Sequence, residues 1–142
     1  IHILSDMDTA DKHWGKRSRG AYAFASLINS GALVIFGSDA PVESPNPFLG
    51  IGAAVTRKRV NDTTRENGWY PAEKLSLAQA LKAYSQSPAF VSGYQQQYGS
   101  LKIGMAADFL ILPSDPGKFE GAGIYELLPE LVFIDGTCVF AG

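Results

Sequence analysis

The run Ala32-Leu33-Val34-Ile35-Phe36 is apolar throughout, and Gly37-Ser38-Asp39-Ala40-Pro41 follows it without a break. An apolar run this short, with no polar alternation, reads as a strand buried on both faces, the pattern of a parallel sheet. The stretch before it, Arg17 to Asn29, places Tyr22, Phe24, Leu27 and Ile28 at helical spacing. Ser30-Gly31 then stops that helix, because glycine accepts the left-handed conformation after a last turn. Helix, glycine turn and buried strand together make an α/β repeat. Prolines at 41, 45 and 47 keep the next segment irregular, so a rigid loop is expected at the strand's carboxyl end.

The flanking regions are read in the same way. Ile1–Leu4 is expected to be the end of another buried strand, followed by a polar loop from Ser5 to Lys16. Residues 48–56 are small and apolar and suit a helix, and residues 57–70 are charged and irregular, a surface excursion. Leu77, Ala80, Leu81 and Tyr84 define the clearest helix, 77–86, with Ser76 as N-cap. Ser87-Pro88 repeats the start signal for a short helix reaching about Tyr94.

The last third changes character. Ala107–Leu112 and Leu131–Ile134 are strand-like, and Asp135-Gly136 before Thr137-Cys138-Val139-Phe140 is a hairpin signal. Two βα units and about three further strands form no closed architecture. Parallel strands need both faces covered, and three strands leave two edges unpaired. The length of 142 residues is enough for a sizeable core, yet the pattern reads as part of a larger fold. The first residue is Ile1 and not methionine, which fits that expectation.

Composition narrows the function classes. Twelve basic against 14 acidic residues give a net charge of −2, which argues against an electrostatic nucleic-acid binder. No apolar run approaches the roughly 18 residues of a membrane helix. A lone cysteine, Cys138, excludes an intramolecular disulfide and a cysteine zinc cage, and inside a strand it is expected to be a small buried hydrophobe. Arg57-Lys58-Arg59 reads as a solvated surface run. Neither a Gly-x-Ser-x-Gly elbow around Ser38 nor a phosphate-cradling pattern around Gly99 and Gly104 is present.

Asp39 is the candidate for chemistry. In parallel α/β folds reactive groups collect at the carboxyl ends of strands, and a carboxylate there can bind a metal ion or take a proton from water. The same position suits an aspartate that caps the following turn. His2, beside a second expected strand end, is either a ligand or a hydrogen-bonded structural histidine. His13 and Trp14 lie in the expected polar loop, facing solvent or lining a substrate site. No HxH and no His-x-x-x-His occurs, so an ordinary metal site cannot be assembled from this chain alone.

Phe36-Gly37-Ser38-Asp39-Ala40-Pro41-Val42 resembles the last barrel strand of the amidohydrolase superfamily. The resemblance extends over His2, Asp6, Trp14, Ser26–Gly31, Leu75–Leu81 and Gly99-Ser100-Leu101…Gly104-Met105-Ala106-Ala107-Asp108-Phe109, and points to metal-dependent hydrolases of the amidohydrolase 3 type. It implies an α/β fold in which residues 1–98 are the last two βα units of a TIM-like (β/α)8 barrel. Residues 99–142 would be the C-terminal strands of a small β-sandwich, with Asp108 structural. Ile1–Leu4 would end the seventh strand and Ala32–Phe36 would be the eighth. Asp39 would then be metal ligand and general base for hydrolysis of a non-peptide C–N bond, with His2 and Trp14 on the substrate side. The implied cofactor is a divalent metal, zinc by type, held mainly by residues from earlier strands. The implied partners are the N-terminal part of the same protein and a small-molecule substrate, with neither nucleic acid nor membrane. Self-association through open sheet edges is the expectation for a non-catalytic module. Alone, the chain is expected to be inactive.

Overall fold

A computed structural model describes residues 1–119 and 121–142. Among the described residues five α-helices precede a three-stranded antiparallel sheet: α1 (Ile3–Trp14), α2 (Phe24–Asn29), α3 (Pro47–Thr56), α4 (Leu77–Tyr84), α5 (Gln86–Val91), β1 (Phe109–Ile111), β2 (Leu131–Ile134) and β3 (Thr137–Ala141). Short 3₁₀ turns at Gly15–Gly20, Pro71–Glu73, Pro116–Lys118 and Gly121–Glu126 link them.

The segment read as a strand end and polar loop is a helix. Ile3, Met7 and Ala10 recur at i, i+4 and i+7 and are almost wholly buried, and Asp6, Asp8 and Asp11 carry the opposite, wetter side. The acidic residues hid this amphipathic stripe from a reading that looked for continuous apolar runs. The expected helix over 17–29 is also shorter. Tyr22 takes φ +53°, in the left-handed region, so the chain turns there before α2 begins at Phe24.

Ala32–Phe36 is extended but joins no ladder. Leu33 and Ile35 are about half exposed, and Phe36 N–H bonds the Ala83 carbonyl at 3.0 Å. A strand is defined by its neighbour, and among the described residues no parallel neighbour supplies one. The described residues therefore do not close a barrel. The expected two-sided burial of this segment is absent for the same reason.

Elsewhere local chemistry is followed closely. Asn46 caps α3 by accepting from Phe48 N–H at 3.0 Å, with Pro47 at the first helical position. Ser76 and Gln79 form a reciprocal capping box on α4. That helix ends at Tyr84, and α5 starts at Gln86, two residues earlier than the Ser87-Pro88 signal implied, and ends at Val91. Pro88 is tolerated because an N–H in the first turn has no helical acceptor.

The main core gathers Phe48, Ile51, Ala54, Leu75, Ala80, Ile124 and Leu127, from α3, α4 and the Gly121–Glu126 turn. Burial of each large side chain is worth about 1.5–3 kcal/mol. Helix α3 can lie close because of Gly52, where a Cβ would stand 2.6 Å from Tyr125 Cε1. A second cluster joins Ile3, Met7 and Ala10 to Trp69.

The 57–70 excursion is less of a surface feature than its charge suggested. Arg57 has no exposed surface and Trp69 only 4%. Arg65 bridges Asp8 (2.7 Å), Asp11 (3.4 Å) and Asp62 (3.2 Å), and Arg59 bonds Asp8 and the Leu4 carbonyl. These contacts fasten the excursion along the polar side of α1.

In the sheet, β1 pairs β2 and β2 pairs β3, with Phe109 opposite Phe133 and their rings stacked 4.5 Å apart. Asp135 and Gly136 both take positive φ, which suits a two-residue hairpin turn. Asp108 accepts from Asp135 N–H at 2.7 Å, a structural role. All of β3 is exposed, and with it Cys138, which is therefore not the buried hydrophobe expected.

Candidate functional site

Asp39 stands at the end of the extended segment, in a turn closed by backbone bonds from Val42 N–H to the Asp39 carbonyl (2.9 Å) and Glu43 N–H to the Ser38 carbonyl (3.2 Å). The backbone closes this turn itself. Among the described residues no backbone N–H donates to the Asp39 carboxylate, so it does not act as a turn cap. Its φ of +52° is a conformation that aspartate tolerates better than most residues, and it projects the side chain outward, 78% exposed.

The nearest charged or titratable partner is His2, with Nε2 3.6 Å from Asp39 Oδ2. That separation exceeds a hydrogen bond, and the carboxylate keeps its lone pairs for another group. His2 immediately precedes α1, whose start fixes its backbone: the His2 carbonyl accepts from Ser5 and Asp6 N–H. A bond from the Ser5 hydroxyl to Glu43 ties α1 to the Asp39 loop. A cavity of about 390 Å³ opens here, lined by Ile1, His2, Tyr22, Phe24, Ile35, Phe36, Gly37 and Asp39.

Trp14 is placed elsewhere. It is half exposed and lines a larger cleft of about 890 Å³ with Asp6, His13, Arg17 and Tyr22. The structure thus brings His2 to Asp39 but not Trp14. Tyr22 borders both spaces, although its spacing in the sequence marks it only as part of a helix stripe. Nothing in Ala21-Tyr22-Ala23 distinguishes a site residue from a core one. Burial first, and then the Asp6 carboxylate, raise the Tyr22 hydroxyl above the ordinary tyrosine range, so it stays protonated and donates to Asp6.

Arg57 supports this wall from behind. Its Nη1 donates to the Tyr22 carbonyl at 2.8 Å and its Nε to the Trp69 carbonyl at 2.5 Å. The guanidinium lies 5.8 Å from the Phe24 ring centre and 5.3 Å from that of Trp69. Burial pushes it down to about 10, so it remains a cation at neutral pH. Nη2 is buried without a partner. A basic triplet in a charged stretch gave no hint that its first member is interior.

As a metal site the donor set is partial. His2 and Asp39 offer two donors in one cavity, and no group of three or more His, Cys, Asp or Glu converges among the described residues. A zinc site uses at least three protein ligands. The residues present fit one portion of such a site and do not make a whole one.

Comparison with known proteins follows this geometry. Residues 2–140 match the sequence profile of the Amidohydrolase family. YtcJ of Bacillus subtilis (strain 168), named as an amidohydrolase, is 33% identical over 97% of this chain and 26% of its own length. Protein LONG AFTER FAR-RED 3 of Arabidopsis thaliana is 37% identical over 80% of this chain and 19% of its own. An N-substituted formamide deformylase of Arthrobacter pascens is 29% identical over 79% and 20%. The chain therefore spans about a fifth to a quarter of the length of these relatives. Among solved structures, an amidohydrolase from Thermotoga maritima MSB8 superposes with a TM-score of 0.63 at 21% identity, over 85% of this chain and 26% of that one. That match aligns the fold with one part of a larger amidohydrolase. The chain belongs to the amidohydrolase family.

Proposed function

We propose that this chain carries the final active-site aspartate, Asp39, of a hydrolase that splits a non-peptide C–N bond, amide or related, with water. The observation that carries the reading is the Asp39 carboxylate itself: free of backbone hydrogen bonds, 3.6 Å from His2, and open to a cavity beyond an extended segment. Asp39 accepts a proton from the attacking water as the C–O bond forms, and returns it to the nitrogen as the C–N bond breaks. The products are a carboxylic acid and an amine, so atoms and charge balance. His2 lies on the substrate side of the same cavity, and Trp14 contacts the substrate from the neighbouring cleft.

A divalent ion, zinc by family type, would have Asp39 as one ligand and would acidify the water and polarise the carbonyl. Its remaining ligands would come from other parts of the full-length protein, of which this chain is about a fifth to a quarter by comparison with its relatives. In that protein residues 1–98 belong to the barrel and residues 99–142 to the smaller β domain. The relative named as acting on N-substituted formamides supports an amide substrate. The 142-residue chain alone is inactive in this reading, and turnover by it would refute that part.

The test is Asp39→Asn in the full-length protein, assayed for amide turnover with metal content measured in parallel. A loss of about 10²–10⁴-fold is expected. Near wild-type turnover would rule out the general-base role. A second, non-catalytic reading is favoured by β3, which is exposed over its whole length. There the chain associates with a second copy through its sheet edges, and sedimentation showing a concentration-independent monomer would dismiss it.

A further inference from the structure

Two cavities meet at one residue. Tyr22 lines the 390 Å³ space that holds His2 and Asp39, and also the 890 Å³ cleft that holds Trp14. Its position is fixed from three directions. The hydroxyl donates to Asp6 on α1, the carbonyl accepts from Arg57 Nη1 and from Phe24 N–H at 2.8 Å each, and the ring packs edge-on to Phe24, 6.0 Å between centres. The backbone at Tyr22 has φ +53°, a conformation that a bulky aromatic residue adopts at a cost of order 1–3 kcal/mol. Among the described residues no carboxylate comes within ion-pair distance of the buried Arg57, which spends two of its donors on the backbone carbonyls of Tyr22 and Trp69. Such over-determination of a strained residue beside a cavity is how a fixed wall is built.

We propose that Tyr22 determines substrate specificity: it divides the reaction cavity at Asp39 from a second subsite at Trp14, which takes the non-reacting arm of an elongated amide, an uncharged aromatic or branched-alkyl group. The inference rests on the amide-hydrolase reading and deepens it. The arm's chemistry follows from the cleft. Its charged walls are one acid and one arginine, Asp6 and Arg17, which balance formally beside His13, and one Asp6 oxygen is already bonded by the Tyr22 hydroxyl. The remaining surface is mainly apolar, with Ala10, Trp14 and the Tyr22 ring as its aromatic and aliphatic portions. A space of several hundred Å³ with such a lining suits a hydrophobic group larger than methyl. Two aromatic residues in the lining, Trp14 and Tyr22, favour a planar one.

The experiment uses the full-length protein and matched amides that carry either a benzyl or a methyl arm. The readout is the benzyl-to-methyl ratio of kcat/KM. Wild type is expected to prefer benzyl. Tyr22→Ala and Trp14→Ala are expected to lower that ratio at least tenfold, and Tyr22→Phe, which keeps the ring, to preserve it. Equal losses on both arms, or a Tyr22→Phe ratio as low as that of Tyr22→Ala, would overturn the proposal. N-benzylacetamide is titrated separately against the indole fluorescence of Trp14, with Trp14→Phe as the blank that subtracts every other tryptophan. Saturable quenching is expected in wild type and abolished in Tyr22→Ala. If wild type turns over no amide, the hydrolase reading fails, and the fluorescence titration still decides the subsite. Absent quenching together with normal turnover sinks the subsite and leaves the hydrolase reading standing.

Discussion

Replacing Arg57 with methionine removes a cation from the interior while nearly conserving its length. The guanidinium makes two charge-assisted bonds to backbone carbonyls, each worth about 1.5–3 kcal/mol. The Tyr22 carbonyl keeps the Phe24 N–H after the change, but the carbonyl of the buried Trp69 loses the Arg57 donor. Against these losses, methionine relieves the burial of a charge that only the more distant Glu73 carboxylate offsets, and it removes an orphan Nη2. It also fills the space between Phe24 and Trp69 with a polarisable thioether. The balance is a destabilisation of about 2 kcal/mol, smaller than the sum of the two bonds. Urea unfolding of the purified chain followed by circular dichroism measures it as a lower midpoint with an unchanged slope. Arg57→Lys retains the charge, but its ammonium cannot present the same fork to two carbonyls, so it is expected to be no better than methionine. A methionine variant as stable as wild type or more so would refute the reasoning. It would show that desolvation of the guanidinium outweighs everything it holds.

Two further expectations concern the same region. Gly68 has φ +81°, and a Cβ there would lie 2.2 Å from the Thr56 carbonyl oxygen, a backbone atom that cannot turn aside. Gly68→Ala should therefore lower the thermal midpoint clearly, by a free energy above the roughly 1 kcal/mol of a simple glycine conformational effect, and an unchanged midpoint would contradict the packing. The excursion's carboxylates supply a pH dependence. Bonds from Arg59 and Arg65 hold Asp8 below the ordinary carboxylate range, and Thr64 chiefly does the same for Asp62. At Asp11 burial opposes the shift, but bonds from Ser18, Trp69 and Arg65 outweigh it. Because the folded values are depressed, their stabilisation is complete above the unfolded carboxylate pKa of about 4 and is lost as pH falls through the lower folded values. Stability should therefore decline from about pH 5 toward about pH 2, less steeply in Arg65→Met, and an identical acid slope in that variant would remove the network from the account.

Local chemistry was readable without a structure wherever the deciding groups are neighbours in the chain. The Ser76 cap of α4, the Asp135-Gly136 hairpin and the Ser30-Gly31 stop after α2 all depend on residues a few positions apart. Asp39 stood out as a candidate too, because an aspartate after an apolar run and before a proline-rich loop is a strong pattern. Tertiary packing decided the remainder. Whether Ala32–Phe36 is a strand depends on a partner that local sequence does not contain, and the described residues supply none. Whether Arg57 is inside or outside depends on Tyr22 and Trp69, 35 and 12 positions away, offering it carbonyls. The division of the site into two spaces depends on one backbone turn at Tyr22, held by groups from α1 and the 57–70 excursion. Hydrogen bonds and ion pairs between distant segments carry no periodicity of their own, so they emerge only when the chain is folded.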